Sequence, residues 1–221
     1  MGVQELWRSC IPGVKAKPSQ PFETASNQRI AVDISCTLHA CMSRPKIALL
    51  TCCVPSYVPN EIIQMLESNH LSFTKHNITP HYVFDGCEHP LKADAIAGRI
   101  EDRNRARASL YSFYERGKDP QVILTDNDHS VAMRNMKKLT CRTNELVNLV
   151  KQWMCKNDIN YLCTPFEAEW QCTQLERDKM VDGVMSIDGD CIVLGRKSYI
   201  STSTSTQRRF KFMKKALMSH V

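Results

Sequence analysis

Short apolar runs punctuate this chain, and longer stretches with helical spacing lie between them. Four runs read as buried strands: "RIAVDIS" (29–35), "HYVFDG" (81–86), "INYLCTP" (159–165) and "GVMSID" (183–188). Each carries an apolar or β-prone cluster over few positions. "NEIIQMLESNH" (60–70) opens on Asn60 as a cap and spaces Ile62, Ile63 and Leu66 for one helix face. "LKADAIAGRIEDRNRARASLYSFYERG" (91–117) predicts a long, strongly basic helix closed by Gly117. "NELVNLVKQWMCKN" (144–157) puts Leu146, Leu149, Val150 and Trp153 on one stripe, and "FEAEWQCTQLERDKM" (166–180) predicts a helix starting after Pro165. Strands alternating with helices predict an α/β fold, with a mostly parallel central sheet and helices on both faces.

Other stretches are less regular. Residues 44–59 hold three prolines and predict a loop or broken helix. Residues 118–130 break the connection between two helices. "STSTST" (201–206) is low in complexity, and the basic block "RRFKFMKK" (208–215) follows it. The expected organisation is a core over 1–200 and a low-complexity basic tail over 201–221.

Composition narrows the class. At 221 residues the chain is long enough for one large α/β domain or two small ones. No apolar run approaches the roughly 18–20 residues of a membrane span, so no membrane partner is expected. The start "MGVQELWRSC" has no secretory core, and Leu6 stands where a myristoylation signal needs Ser or Thr. The eleven cysteines include no C-x-x-C pair, which argues against a zinc ribbon. Cys36, His39 and Cys41 form a cluster, but in a helix-like stretch. Cysteines scattered among apolar residues, without a signal peptide, read as buried thiols of a reducing compartment. Lys and Arg number 29 against 23 Asp and Glu, an excess that permits an anionic partner such as nucleic acid.

The strand ends change the picture. Asp33, Asp85 and Asp188 each close an apolar run, and the fourth run leads into Glu167 and Glu169. Sites in open parallel sheets form outside the carboxyl ends of the strands. With Asp190, six carboxylates are therefore expected along one edge. Singly, each acid reads as a turn former or helix cap, or as favouring a helix dipole. Together they repel, at about 4 kcal/mol per pair at ~4 Å and an effective dielectric of about 20. Divalent cations relieve that repulsion, and all-oxygen donors favour Mg²⁺ or Mn²⁺. Two such ions about 4 Å apart suit phosphodiester hydrolysis, one activating water and one stabilising the leaving oxygen.

The basic helix follows Asp85. At about 100° per residue, Lys92, Arg99 and Arg103 fall within ~20° of one stripe. Lys92 and Arg99 are candidates to bind a scissile phosphate, whereas Arg105 and Arg107 read as readily as a solvated face with pairs such as Glu101–Arg105.

These motifs resemble those of the structure-specific 5′ nucleases, which include flap endonucleases, the xeroderma pigmentosum group G nuclease and the exonuclease 1 type. "MGVQELW" is similar to the family's start, "AVDISCTLH" to its first motif and "YVFDG" to its second. "PFEAEWQC" and "SIDGDCIVLG" are similar to its internal-region acids. The resemblance covers about residues 1–200, and "TLH" and "FDGC" lean toward the exonuclease 1 branch. It implies a 5′-nuclease (PIN-like) core with two Mg²⁺ ions, for which Mn²⁺ can substitute. Asp33, Asp85, Glu167, Glu169, Asp188 and Asp190 would be the metal ligands. It also implies phosphate contacts from Lys92 and Arg99, a stacking position at His39, and DNA contacts from Gly2 and Arg103. The expected substrate is DNA with single-strand/duplex junctions, cleaved exo- or endonucleolytically in nuclear repair or replication. The family has a further aspartate near a downstream helix–hairpin–helix-like element, and Val221 ends this chain before it. A truncated nucleic-acid-binding relative and a PIN-like ribonuclease stand as alternatives.

Overall fold

The structure is a computed structural model that describes residues 20–21, 25–87, 90–186, 198–202 and 209–214. The described chain runs β1 (Gln20–Pro21), β2 (Arg29–Asp33), α1 (Ile34–Met42), α2 (Pro45–Cys53), a 3₁₀ turn (Pro55–Tyr57), α3 (Val58–Lys75) and β3 (Thr79–Phe84). A second 3₁₀ turn (Pro90–Lys92) follows. Then come α4 (Ala93–Gly117), α5 (Asp126–Leu139), α6 (Asn144–Lys156), β4 (Tyr161–Cys163), α7 (Ala168–Arg177), β5 (Gly183–Met185), β6 (Ser198–Thr202) and β7 (Arg209–Lys214).

Two compact units divide the chain. One comprises Met1–Thr37, Glu67–Glu88 and Met154–Val221, and the other Leu38–Leu66 and His89–Trp153. The first unit carries a seven-stranded sheet in the order β1-β7-β6-β5-β2-β3-β4. From β6 to β4 every neighbouring pair is parallel, and β7 pairs antiparallel with β6 and β1. The α/β class and the mostly parallel sheet match expectation. β2 lies between β3 and β5, and Ile30, Ala31, Val32 and Asp33 are all buried. That explains why its sequence is a continuous apolar run.

Side-chain alternation gives each sheet face its own cover. On one face Ala31, Val83 and Val184 pack with Ala168 and Cys172 of α7 and with Val181. Ala168 and Cys172 are one helical turn apart, and their small side chains suit a helix lying close on a sheet. On the other face Tyr82 meets His70 of α3, with the phenol oxygen 3.1 Å from Nδ1. Burial pushes the Tyr82 phenol up and the His70 imidazole down.

At the amino end of the strands Arg29 and Asp182 fix the β2–β5 register. The Arg29 N–H donates to Asp182 Oδ2 at 2.8 Å, and its Nη2 lies 3.1 Å from Oδ1. The Asp182 N–H donates back to the Arg29 carbonyl at 2.7 Å. Hydrogen bonding from Arg29 lowers the Asp182 pKa.

Several boundaries differ from the sequence reading. β3 begins at Thr79, because Thr79 and Pro80 pair with Arg29 and Ile30. Pro80 is tolerated where β4 has not yet joined β3, since that pairing starts at Tyr82. The region 44–59 is a broken helix: α2 starts with Pro45 at its first turn, and Pro55 opens the 3₁₀ turn. α7 starts at Ala168 rather than beside Pro165. The boundary drawn at residue 200 falls inside β6, and β7 lies in the stretch read as a tail.

The second unit is helical. α4 packs along α5, and α5 along α2. Buried Ala106 and Ala132 leave room for close helix approach. Asn135 donates to Ser109 at 2.9 Å and Arg116 pairs with Asp128 at 2.9 Å. α5 begins with a capping box between Thr125 and Asp128.

Candidate metal and nucleic-acid site

The carboxyl ends of β2 and β3 feed two acids into the same edge of the first unit. Asp33 ends β2 and begins the turn into α1. Its Oδ1 accepts the Cys36 N–H at 3.1 Å, the geometry of a helix cap, and its Oδ2 lies 3.5 Å from the Ser186 hydroxyl. The Cys36 amide and the Ser186 hydroxyl are neutral, and Asp33 is 2% exposed. Burial raises the Asp33 pKa, hydrogen bonding around Cys36 opposes the shift, and the nearby Asp85 charge adds to it.

Asp85 follows β3, and its Oδ1 accepts the Ala168 N–H at 2.8 Å. The α7 amino terminus is thus capped by a residue 83 positions earlier. Glu167 occupies the N-cap backbone position, extended at φ −92° and ψ 134°, but its side chain makes no capping bond. The connection is held tight by Gly86, whose N–H donates to the Phe166 carbonyl at 2.6 Å, while the Cys87 N–H donates to the Pro165 carbonyl at 3.0 Å. A Cβ at Gly86 would run into the carbonyl oxygens of Thr164 and Pro165.

Glu169, in the first turn of α7, completes the grouping. Ligand atoms of Asp33, Cys36 and Glu169 all lie within 4.8 Å of one another. The amino termini of α1 and α7 direct N–H groups to Asp33 and Asp85, which favours negative charge there. The donor set fits a divalent cation: a buried carboxylate with neutral partners, a second carboxylate, and a thiol. In the sequence Cys36 clusters with His39 and Cys41. Among the described residues, neither of those joins the ligand grouping. The sequence does not mark Ser186. It is 2% exposed, and its hydroxyl donates to Cys36 Sγ at 3.2 Å.

Asp188, Asp190 and Gly2 lie outside the described residues. His39, Lys92, Arg99 and Arg103 belong to the second unit. His39 is exposed on α1. Lys92 is the last residue of the second 3₁₀ turn and the N-cap of α4, so the expected stripe begins outside the helix proper. Arg99 and Arg103 are i,i+4 neighbours within α4, the first exposed and the second half-buried. Arg105 pairs with Asp102 at 2.7 Å and Glu101 at 3.5 Å, matching the solvated-face alternative.

Residues 1–106 match the XPG N-terminal domain, and residues 158–220 match the XPG I-region. The chain belongs to the XPG-type 5′ nuclease family. Members of this family are nucleases, that is, phosphodiester hydrolases. Among its relatives, exodeoxyribonuclease 1 of Saccharomyces cerevisiae is 27% identical over 124 residues, 56% of this chain and 16% of the yeast protein. Flap endonuclease 1 of Halobacterium salinarum is 32% identical over 135 residues, 61% of this chain and 38% of that protein. The chain thus spans well under two thirds of these relatives. The catalytic core of Rad2, in complex with DNA substrate, shares the fold at a TM-score of 0.63 and 20% identity. That match covers 96% of this chain and 55% of that one.

Proposed function

We propose that this protein is a Mg²⁺-dependent, structure-specific 5′ nuclease acting on DNA with single-strand/duplex junctions. The observation that carries the reading is the convergence of Asp33, Glu169 and Asp85 at the carboxyl edge of a parallel sheet in this family's fold. The DNA substrate of the Rad2 core supports DNA as the substrate class.

Asp33, Asp85 and Glu169 would hold divalent cations at this edge, and such cations would supply Lewis acidity for phosphodiester hydrolysis. Asp33 and Glu169, whose carboxylate oxygens lie within 4.8 Å of each other, would be their direct donors. The Ala168 amide of α7 holds Asp85 in place through Oδ1, and Asp85 would add its charge to the cation-holding edge. Glu167, Asp188 and Asp190 complete the charge that two ions require. Lys92 and Arg99 bind the scissile phosphate and balance charge developing on it. Arg103 and Gly2 contact the DNA, and His39 stacks on a base of the reacting strand. "TLH" and "FDGC" favour exonuclease 1-like use of this chemistry in repair or replication.

The test is a substrate panel of 5′-flap, nicked and blunt DNA and structured RNA, with and without Mg²⁺, using Asp188→Ala as control. The reading expects Mg²⁺-dependent DNA cleavage that the variant lacks. No cleavage at high protein concentration would overturn it, leaving a nucleic-acid-binding relative. Cleavage of RNA alone would favour a PIN-like ribonuclease.

A further inference from the structure

A sulfur atom stands among the oxygen donors of this site. The acids alone suit hard ions, but Cys36 is the third residue after Asp33 and lies in the first turn of the helix that Asp33 caps. This turn brings Sγ, a carboxylate oxygen of Asp33 and one of Glu169 within 4.8 Å of each other. A four-coordinate zinc ion with bonds of about 2.0–2.3 Å keeps its donors roughly 3.6 Å apart. The three groups therefore need to close by up to about 1.2 Å, from 4.8 Å to about 3.6 Å. Cys36 and Glu169 are only half-buried, so their side chains have room to do so.

The surroundings suit a ligating thiolate. The buried Ser186 hydroxyl donates to Cys36 Sγ at 3.2 Å and lies 3.5 Å from Asp33 Oδ2. The one hydroxyl proton is within reach of both the sulfur and the carboxylate, and in its shorter contact it orients the sulfur, the kind of second-layer contact that steadies metal ligands. A neutral thiol cannot offer a full ligand charge, so cation binding releases the Cys36 proton to solvent. Thiolate donors favour Zn²⁺ and softer ions over Mg²⁺.

We infer that Cys36, with Asp33 and Glu169, forms a mixed sulfur–oxygen site that captures thiophilic divalent cations of the zinc class in competition with Mg²⁺. The inference deepens the metal-site reading above by assigning that site a soft donor and a means of inhibition. Zn²⁺ bound through Cys36 occupies positions that hydrolysis needs for hard ions.

Cadmium alone is the probe, because a cadmium–thiolate bond gives a near-ultraviolet charge-transfer band. The full chain is titrated with Cd²⁺ and followed by absorbance, alongside Cys36→Ser, Cys36→Ala and Asp33→Asn, each checked for folding by circular dichroism. The wild type is expected to gain a band saturating at one equivalent. Both cysteine variants should lose it, Asp33→Asn should shift its midpoint at least tenfold, and excess Mn²⁺ should suppress the wild-type band. An undiminished band in Cys36→Ser would overturn the inference and move the sulfur to another site, such as the exposed Cys52–Cys53 pair. Failure of Mn²⁺ to compete would also overturn it, with no variant needed. The nuclease reading stands or falls separately. Mg²⁺-dependent cleavage without a Cys36 band sinks only this inference, and the band without cleavage sinks only that reading.

Discussion

The Oδ1 atom of Asp85 accepts a hydrogen bond from the Ala168 amide at 2.8 Å, joining the end of β3 to the start of α7. Two acid-bearing segments 83 residues apart are thereby locked together. The bond gives Asp85 a structural task that is separable from metal chemistry. Asp85→Asn keeps an acceptor oxygen, whereas Asp85→Ala removes it. We expect Asp85→Ala to lose about 1–2 kcal/mol of stability and Asp85→Asn much less. Both should lose cleavage by roughly 10²-fold or more, the scale for removing one electrostatic contact to a transition state. Urea denaturation beside flap cleavage checks the split.

Gly86→Ala probes the same joint sterically. The added methyl meets backbone carbonyls of Thr164 and Pro165, which cannot rotate away as a side chain would. Overpacking of this kind costs about 1–3 kcal/mol. It also shifts Asp85 relative to Glu169, so cleavage should fall even where the protein stays folded. A thermal melt paired with a cleavage assay at low temperature reads both effects.

Asp33→Asn should behave oppositely with and without metal. Burial raises the Asp33 pKa, so its carboxylate is destabilising in the metal-free fold. Wild-type stability from this group is full below the ordinary carboxylate range and is lost as pH rises through the raised pKa. Without divalent ions the variant should therefore melt higher than wild type at neutral pH, and the difference should vanish in acid. Added Mg²⁺ should raise the wild-type midpoint and leave the variant's nearly unchanged.

At the far end of the strands, Asp182→Asn tests the register clamp to Arg29. Here the pKa is lowered by Arg29, so the stabilisation is present at neutral pH and fades as pH falls through the depressed value. The variant should be modestly less stable than wild type at neutral pH, converge with it in acid, and cleave DNA normally. Melting curves across pH decide it.

The strands of this sheet were legible where burial on both faces forces continuous apolar runs, as in β2. The acids followed, because Asp33, Asp85 and the Glu167–Glu169 pair sit where those runs stop. α5 was hidden by its polar composition, although Thr125 and Asp128 already spelled a capping box. β7 was hidden by its lysines and arginine: "RFKFMK" alternates with period two, yet read as a basic block. The roles of Cys36 and Ser186 depend on β2, α1 and the end of β5 meeting, which no local pattern encodes. The separation of Lys92 from the helix came from a 3₁₀ turn at Pro90, a boundary that helical spacing alone passes over.

Arg103→Ala addresses the DNA contact apart from chemistry. If Arg103 meets one phosphate, binding should weaken evenly across sequences and the salt dependence should drop by about one in slope. Fluorescence anisotropy with labelled flap DNA in Ca²⁺, over a range of salt, measures this.

The central claim is that the carboxylates at this sheet edge make a metal-dependent nuclease centre. The most direct measurement compares wild type and Glu169→Gln on a 5′-flap DNA across Mg²⁺ concentrations. The account predicts wild-type cleavage that rises with Mg²⁺ and disappears with chelator, and a variant slower by roughly 10²–10³-fold. Equal cleavage by the two proteins, or wild-type cleavage that persists in chelator, would contradict it.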